Sequence, residues 1–183
     1  MPQPLFTQLI NELQNHYSYK ASKPLIIVSA YEQTLFLIRN KKALKTYKIS
    51  TASAGLGNQS GSYKTPLGVH QIVKKFGDNA ELGSIFKGRE NTGKIAKILQ
   101  KSNERSESDN ITTRILWLSG LQNGVNKGEG IDSHKRYIYI HGTDEEGRLG
   151  QPASHGCIRM ANKDVVELFN KVENGTLVNI IEQ

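Results

Sequence analysis

The chain has 183 residues, 37% of them hydrophobic, with 24 Lys and Arg against 17 Asp and Glu, a net charge of +7 and a pI near 9.4. That length is ample for one core and short for several, and no apolar run reaches the roughly 20 residues of a membrane span. A single cysteine excludes an internal disulfide framework, and the basic charge is not interleaved with aromatics in a nucleic-acid motif, so nucleic acid is not expected as a partner.

In chain order, Leu5, Phe6, Leu9, Ile10 and Leu13 show helical spacing, which predicts an amphipathic helix docked on the domain and ending near Asn15. Met1 to Tyr19 carries no basic, apolar or cleavage region of an export signal. Strands are predicted near Leu25–Ala30, Thr34–Arg39 and Leu44–Thr51 from their β-branched and aromatic runs. Ala54 to Ser62 reads as a Gly/Ser-rich loop, and Leu67 to Lys74 as a strand. Gly77 to Asn110 is the most polar stretch, with a short helix predicted over Lys94–Gln100 and a mobile run over Lys101–Asn110. Within it, Gly88 to Lys94 (GRENTGK) matches the start of a phosphate-binding loop, but Ile95 stands where Ser or Thr is required, so the match is set aside.

Thr112 to Leu118 is a predicted strand, with Trp117 expected in the core, and Asn123 to Ser133 a loop. Tyr137 to Ile140 forms a strand ending on His141, and polar Asp144 to Ala153 forms a loop long enough to fold back. Asn162 is the expected N-cap of a helix over Lys163–Glu173, with Asp164 in its first turn. Leu177 to Ile181 closes the sheet. The chain thus divides into an arm, 1–22, and a mainly β domain, 23–183, with a polar insertion about 77–110.

The chemistry concentrates in Ser154 to Met160, SHGCIRM. Cys157 beside His155, with His141 upstream, reads as a nucleophile with a base. A free thiol has a pKa of about 8.5, and Arg159 adds positive charge that favours thiolate. The backbone amides of His155, Gly156 and Cys157 are candidates for an oxyanion site, with Gly156 permitting a tight conformation. His16, His70 and His134 lack such context and read as non-catalytic. A metal set of His141, His155 and Cys157, with His134 as fourth ligand, is the competing reading, without the paired spacing typical of zinc.

The stretch His141 to Met160, HGTDEEGRLGQPASHGCIRM, resembles the signature of the L,D-transpeptidase catalytic domain, a family of peptidoglycan-remodelling cysteine enzymes. Pro24–Arg39, Tyr47–Ala54, Tyr63–Ile72 and Gly175–Ile180 resemble further family segments in the same order. The resemblance implies a β-sandwich or barrel with an N-terminal helix and a few short helices. It implies Cys157 as nucleophile, His141 as base, the Gly142 carbonyl orienting the His141 ring, and His155, Gly156 and Cys157 at the oxyanion. Arg159 and Ser154 would contact the substrate. No cofactor is implied.

The implied substrates are peptidoglycan stem peptides, with an amine of another stem or of a protein lysine as acceptor. Water as acceptor gives an L,D-carboxypeptidase or amidase, a cysteine hydrolase of another amide is a third reading, and a non-catalytic wall-binding module needs neither thiol nor base. The resemblance points to the cell envelope; the lack of a visible export signal leaves the cytoplasm as the alternative.

Overall fold

In the computed structural model, residues 3–183 are described, with backbone alone for residues 3–5, so Leu5's predicted docking lies outside the described side chains. Helix α1 (Gln3–Tyr17) is followed by strands β1 (Leu25–Ser29), β2 (Thr34–Arg39), β3 (Lys42–Ser50), β4 (Gly68–Phe76), β5 (Ser84–Lys87), β6 (Glu90–Ile95), β7 (Ile111–Gly120) and β8 (Tyr139–Thr143). A single 3-10 turn (Glu146–Arg148), β9 (Ile158–Met160), helix α2 (Asn162–Lys171) and β10 (Leu177–Ile181) complete the chain.

The strand order is β4-β10-β1-β2-β3-β9-β8-β7-β5-β6, and β4 also pairs with β7. That extra pairing closes eight strands into a barrel, from which the β5–β6 hairpin extends. Closure leaves no free edge on the strands that carry the core. Most pairs are antiparallel; β1–β10 and β8–β9 are parallel.

β1 shows why LIIV is a continuous apolar run rather than an alternating one. Ile26 and Val28 face the barrel interior with Leu35, Leu37, Ile49, Leu116, Ile140, Ile158 and the α2 residues Val165, Leu168 and Phe169. Leu25 and Ile27 face outward, where Ile10 and Leu13 of α1 cover them together with Phe36 and Ile38. Both faces of the strand are therefore buried, and successive side chains all need to be apolar.

Several expectations are corrected. Lys94–Gln100 is not helical: β6 runs through Ile95, paired with β5, and 96–100 is irregular. Four polar residues and a glycine in Glu90–Lys94 leave no apolar stripe to bury, and β6 is exposed throughout. GRENTGK is the hairpin turn at Gly88 and Arg89, φ +55° and +72°, plus that strand. Helix α1 runs to Tyr17, two residues past the expected end. Helix α2 ends at Lys171, and its N-cap is Ala161 rather than Asn162. Trp117 is half-buried, stacked on His134 at 4.0 Å between ring centroids and covered by the Arg89 guanidinium at 4.7 Å.

Candidate active site

Strands β8 and β9 run parallel, with His141 opposite Arg159 and Ile140 opposite Ile158. Side chains alternate along each strand, so Ile140 and Ile158 enter the core while His141 and Arg159 share the opposite face. Cys157 lies two residues before Arg159 and joins that face: its Sγ accepts a 3.4 Å hydrogen bond from the Tyr139 N–H and lies 3.5 Å from the Tyr137 carbonyl, to which the thiol donates. The parallel pair thus places the thiol and the imidazole on one face of adjacent strands.

His141 is buried, and its Nδ1 lies 2.6 Å from the Gly142 carbonyl. A carbonyl only accepts, so Nδ1 carries the proton and the Nε2 lone pair is free to take one. Gly142 has no room for a side chain: a Cβ would sit 2.7 Å from the Thr112 carbonyl and 2.8 Å from Asn162 Oδ1. Burial lowers the His141 pKa, the Asp109 charge and the Gly142 bond raise it, and Arg159 lowers it further. Burial also dominates at Cys157, pushing the thiol up to about 12 against the Tyr139 N–H, Arg136 and Arg159, which favour thiolate. Arg159 therefore acts in the anticipated direction but is outweighed. Both shifts favour the neutral forms of the thiol and the imidazole.

The loop around the thiol is braced from within. Ser154 is fully buried; its Oγ donates to the Cys157 carbonyl at 2.5 Å and accepts from the Gly156 N–H at 3.2 Å. The Gly156 carbonyl accepts from Thr65 Oγ1 at 3.0 Å, and Gly156 has φ +128°, a conformation closed to other residues without strain. Arg136 donates to the carbonyls of Gly57 and Lys64, fastening the Gly/Ser-rich loop over Gly156.

Arg159 is fully buried, and its Nη1 meets Asp109 Oδ1 at 2.8 Å and Glu145 Oε2 at 3.0 Å. Glu145 in turn pairs with Arg148 at 2.8 Å. His155 is exposed, with Nδ1 2.9 Å from Asp109 Oδ2. His134 stacks on Trp117, and among the described residues no group of three or more His, Cys, Asp or Glu is placed to hold a metal ion.

Two contributors escaped the sequence reading. Asp109 lies in the polar run expected to be mobile, yet it reaches both His155 and Arg159; the one available signal was a motif arginine in need of a carboxylate. Asn162, expected as a helix cap, is buried: its Nδ2 donates to the Thr143 carbonyl at 2.9 Å and its Oδ1 accepts from Thr112 Oγ1 at 2.7 Å. It fixes the end of β8 beside Gly142. The α2 N-terminus is satisfied instead by Glu146, whose carboxylate accepts from the Asn162 N–H at 2.8 Å.

The family model for the L,D-transpeptidase catalytic domain matches residues 23–180. The chain belongs to this family. Among curated relatives of the family, the putative L,D-transpeptidase YkuD of Bacillus subtilis is 52% identical over 46 residues, 25% of this chain and 28% of that protein. The probable L,D-transpeptidase YbiS of Escherichia coli is 44% identical over 48 residues, 26% of this chain and 16% of that protein. The matched stretches thus span under a third of either relative. Among solved structures, L,D-transpeptidase 3 of Mycobacterium tuberculosis superposes with a TM-score of 0.53 at 16% identity, covering 87% of this chain and 61% of that one. An L,D-transpeptidase of Mycobacterium smegmatis gives 0.51 at 15%, covering 87% and 58%. These likenesses establish the family's mainly β fold, as the sequence resemblance implied.

Proposed function

We propose that this chain is a cysteine acyltransferase of the L,D-transpeptidase type, acting on peptidoglycan stem peptides. The observation that carries this reading is the placement of Cys157 and His141 on one face of two adjacent strands, with Nδ1 of the imidazole committed to the Gly142 carbonyl.

The steps follow from the residues. His141 Nε2 takes the Cys157 proton, and the sulfur attacks the carbonyl carbon of the third stem residue, a diamino acid. The carbonyl oxygen becomes an oxyanion held by backbone N–H groups of the 155–157 loop. Because the Gly156 N–H is turned to Ser154 Oγ, the amides of His155 and Cys157 bear most of that role, and Gly156 supplies the backbone turn that aims them. The His141 imidazolium returns the proton to the departing amine of D-alanine, leaving a thioester on Cys157. An amine, from another stem or a protein lysine, attacks the thioester; its proton passes to His141 and then to the released thiol. With water in place of the amine, the same steps give a carboxypeptidase.

Ser154 and Arg159, both fully buried, serve this chemistry by shaping the loop rather than by touching substrate. The substrate class favours the cell envelope as the working compartment; no helix among the described residues is long and apolar enough to cross a membrane. We read residues 1–22 as an arm on a catalytic domain of residues 23–183, a reading supported by the packing of Ile10 and Leu13 of α1 on the outer barrel face.

Incubation with purified tetrapeptide muropeptides, followed by mass analysis of the products, tests the reading. Cross-linked dimer with free D-alanine is expected from the native chain, and none from Cys157→Ala or Cys157→Ser at unchanged fold. Turnover by the Cys157→Ala protein at the native rate would refute it.

A further inference from the structure

Arg159 stands directly across from His141 in the β8–β9 register. Acyl transfer as proposed above requires His141 to become a cation, in a buried position beside a buried guanidinium. Two like charges at such close quarters in a low-dielectric setting oppose each other strongly, so the imidazolium needs an anion between or beside them. The charged groups that act on His141 are Arg159 from β9 and Asp109 from the segment that precedes β7, with Cys157 on the same face of the strand pair. Asp109 alone among these carries a negative charge in the resting state.

Its position is built, not incidental. β7 begins two residues later, and its pairing with the end of β8 (Ile111 with Thr143, Thr112 with Gly142) sets where residue 109 falls. The preceding run is tied to the loop after β8: the Ser106 N–H donates to Glu145 Oε1 at 2.8 Å, and Asn110 Nδ2 to Asp144 Oδ2 at 2.6 Å. Held at both ends, Asp109 places one carboxylate oxygen on Arg159 Nη1 at 2.8 Å and the other on His155 Nδ1 at 2.9 Å. Both partners flank Cys157. Burial works to raise the Asp109 pKa, but the Arg159 charge, with His141 and His155, carries it below the usual carboxylate range, so it is ionised at neutral pH.

Charge neutralisation of Arg159 is not the whole of its task. Glu145 already meets the same nitrogen at 3.0 Å, but it is shared with Arg148. Two carboxylates against two guanidiniums leave the cluster neutral; removing Asp109 leaves a net positive charge facing His141.

We propose that Asp109 is a positioning residue of the acyl-transfer site: it fixes the Cys157 loop through His155 and Arg159, and its charge offsets Arg159 when His141 takes up the thiol proton. Its carboxylate oxygens bond to Arg159 and His155 rather than to the Cys157 sulfur. The inference rests on the assignment of Cys157 and His141 above, so its test includes a substrate-free arm.

The test compares the full chain with D109N, which keeps shape and loses charge, and D109E, which keeps charge. D109S repeats the neutral arm if D109N does not fold. In NMR titration without substrate, the His141 midpoint should fall in D109N and stay near the native value in D109E. With a tetrapeptide donor, kcat should fall about tenfold in D109N for each pKa unit the midpoint drops, with KM within about twofold. D109E should recover most of kcat. If no donor is processed even by the native chain while the midpoints separate as stated, the transpeptidase reading fails and only the charge coupling of Asp109 to His141 stands. A neutral variant with the native midpoint, or a D109E midpoint displaced as far as that of D109N, overturns it.

Discussion

At the scale of single residues, the two site histidines are distinguished by what each ring nitrogen does. His141 is buried with Nδ1 held by Gly142; His155 is exposed, its Nδ1 facing Asp109. A buried, oriented imidazole with a free Nε2 suits proton transfer, whereas an exposed ring suits bracing of the loop. His141→Ala should therefore lower kcat/KM by about 10²–10⁴-fold, the usual worth of a positioned base. His155→Ala should cost less, through loss of the Asp109 contact. Steady-state rates of both variants decide the matter, and a larger loss at His155 would reverse the two roles. The proposed thiol, base and glycines were legible as candidates because SHGC and the upstream His-Gly are local patterns. Asp109 was not, because its partners His155 and Arg159 lie 46 and 50 residues on, and no local rule marks a carboxylate for a distant cation.

At the scale of elements, legibility tracked the hydrophobic pattern. The longer strands were placed within a few residues wherever apolar or β-branched runs dictated them, whereas the short strands β5 (Ser84–Lys87) and β9 (Ile158–Met160) were not predicted. β6 (ENTGKI) was missed because it is exposed throughout and owes its strand form to pairing with β5 rather than to a buried stripe. Asn162 was misjudged because a favoured cap residue was also the right size to bridge Thr112, Thr143 and Glu146. Helix α1 was legible from its stripe, and its docking gives a stability prediction. Ile10 and Leu13 are each 1% exposed, against Leu25, Ile27, Phe36 and Ile38 on the outer barrel face. Leu13→Ala should cost about 2–5 kcal/mol, the range for deleting a buried leucine side chain. Deleting residues 1–19 should lower Tm further and raise the tendency to associate, since it bares the same apolar face. Denaturant titration of L13A measures the first; a change below about 0.5 kcal/mol would mean that α1 is a loose tether.

At the scale of the whole molecule, the barrel is closed by β4, which pairs with both β10 and β7. His70 sits fully buried on β4, with Nδ1 2.9 Å from the Gly68 carbonyl and Nε2 2.9 Å from Ser133 Oγ. It ties the closing strand to the loop that leads into β8, a structural role in keeping with its reading as non-catalytic. Burial lowers its pKa to about 4, outweighing the Gly68 bond. A depressed histidine pKa contributes stability above the unfolded value of about 6.5 and loses it as pH falls toward the folded one. Between those values the loss attributable to His70 should approach roughly 3 kcal/mol. Urea unfolding at pH 7 and at pH 4.5 should show a markedly smaller acid loss in His70→Gln than in the native chain; equal losses would assign acid sensitivity to other groups.

The central claim is that Cys157 carries the acyl group between donor and acceptor. It is tested most directly by incubating the full chain with a tetrapeptide donor lacking any acceptor amine, quenching in acid, and mapping the modified peptide by mass spectrometry. The account predicts one adduct, equal in mass to the donor less alanine, on Cys157, labile to hydroxylamine as a thioester is, and absent from Cys157→Ala. Donor turnover with no adduct on Cys157, or an adduct on another residue, would contradict it.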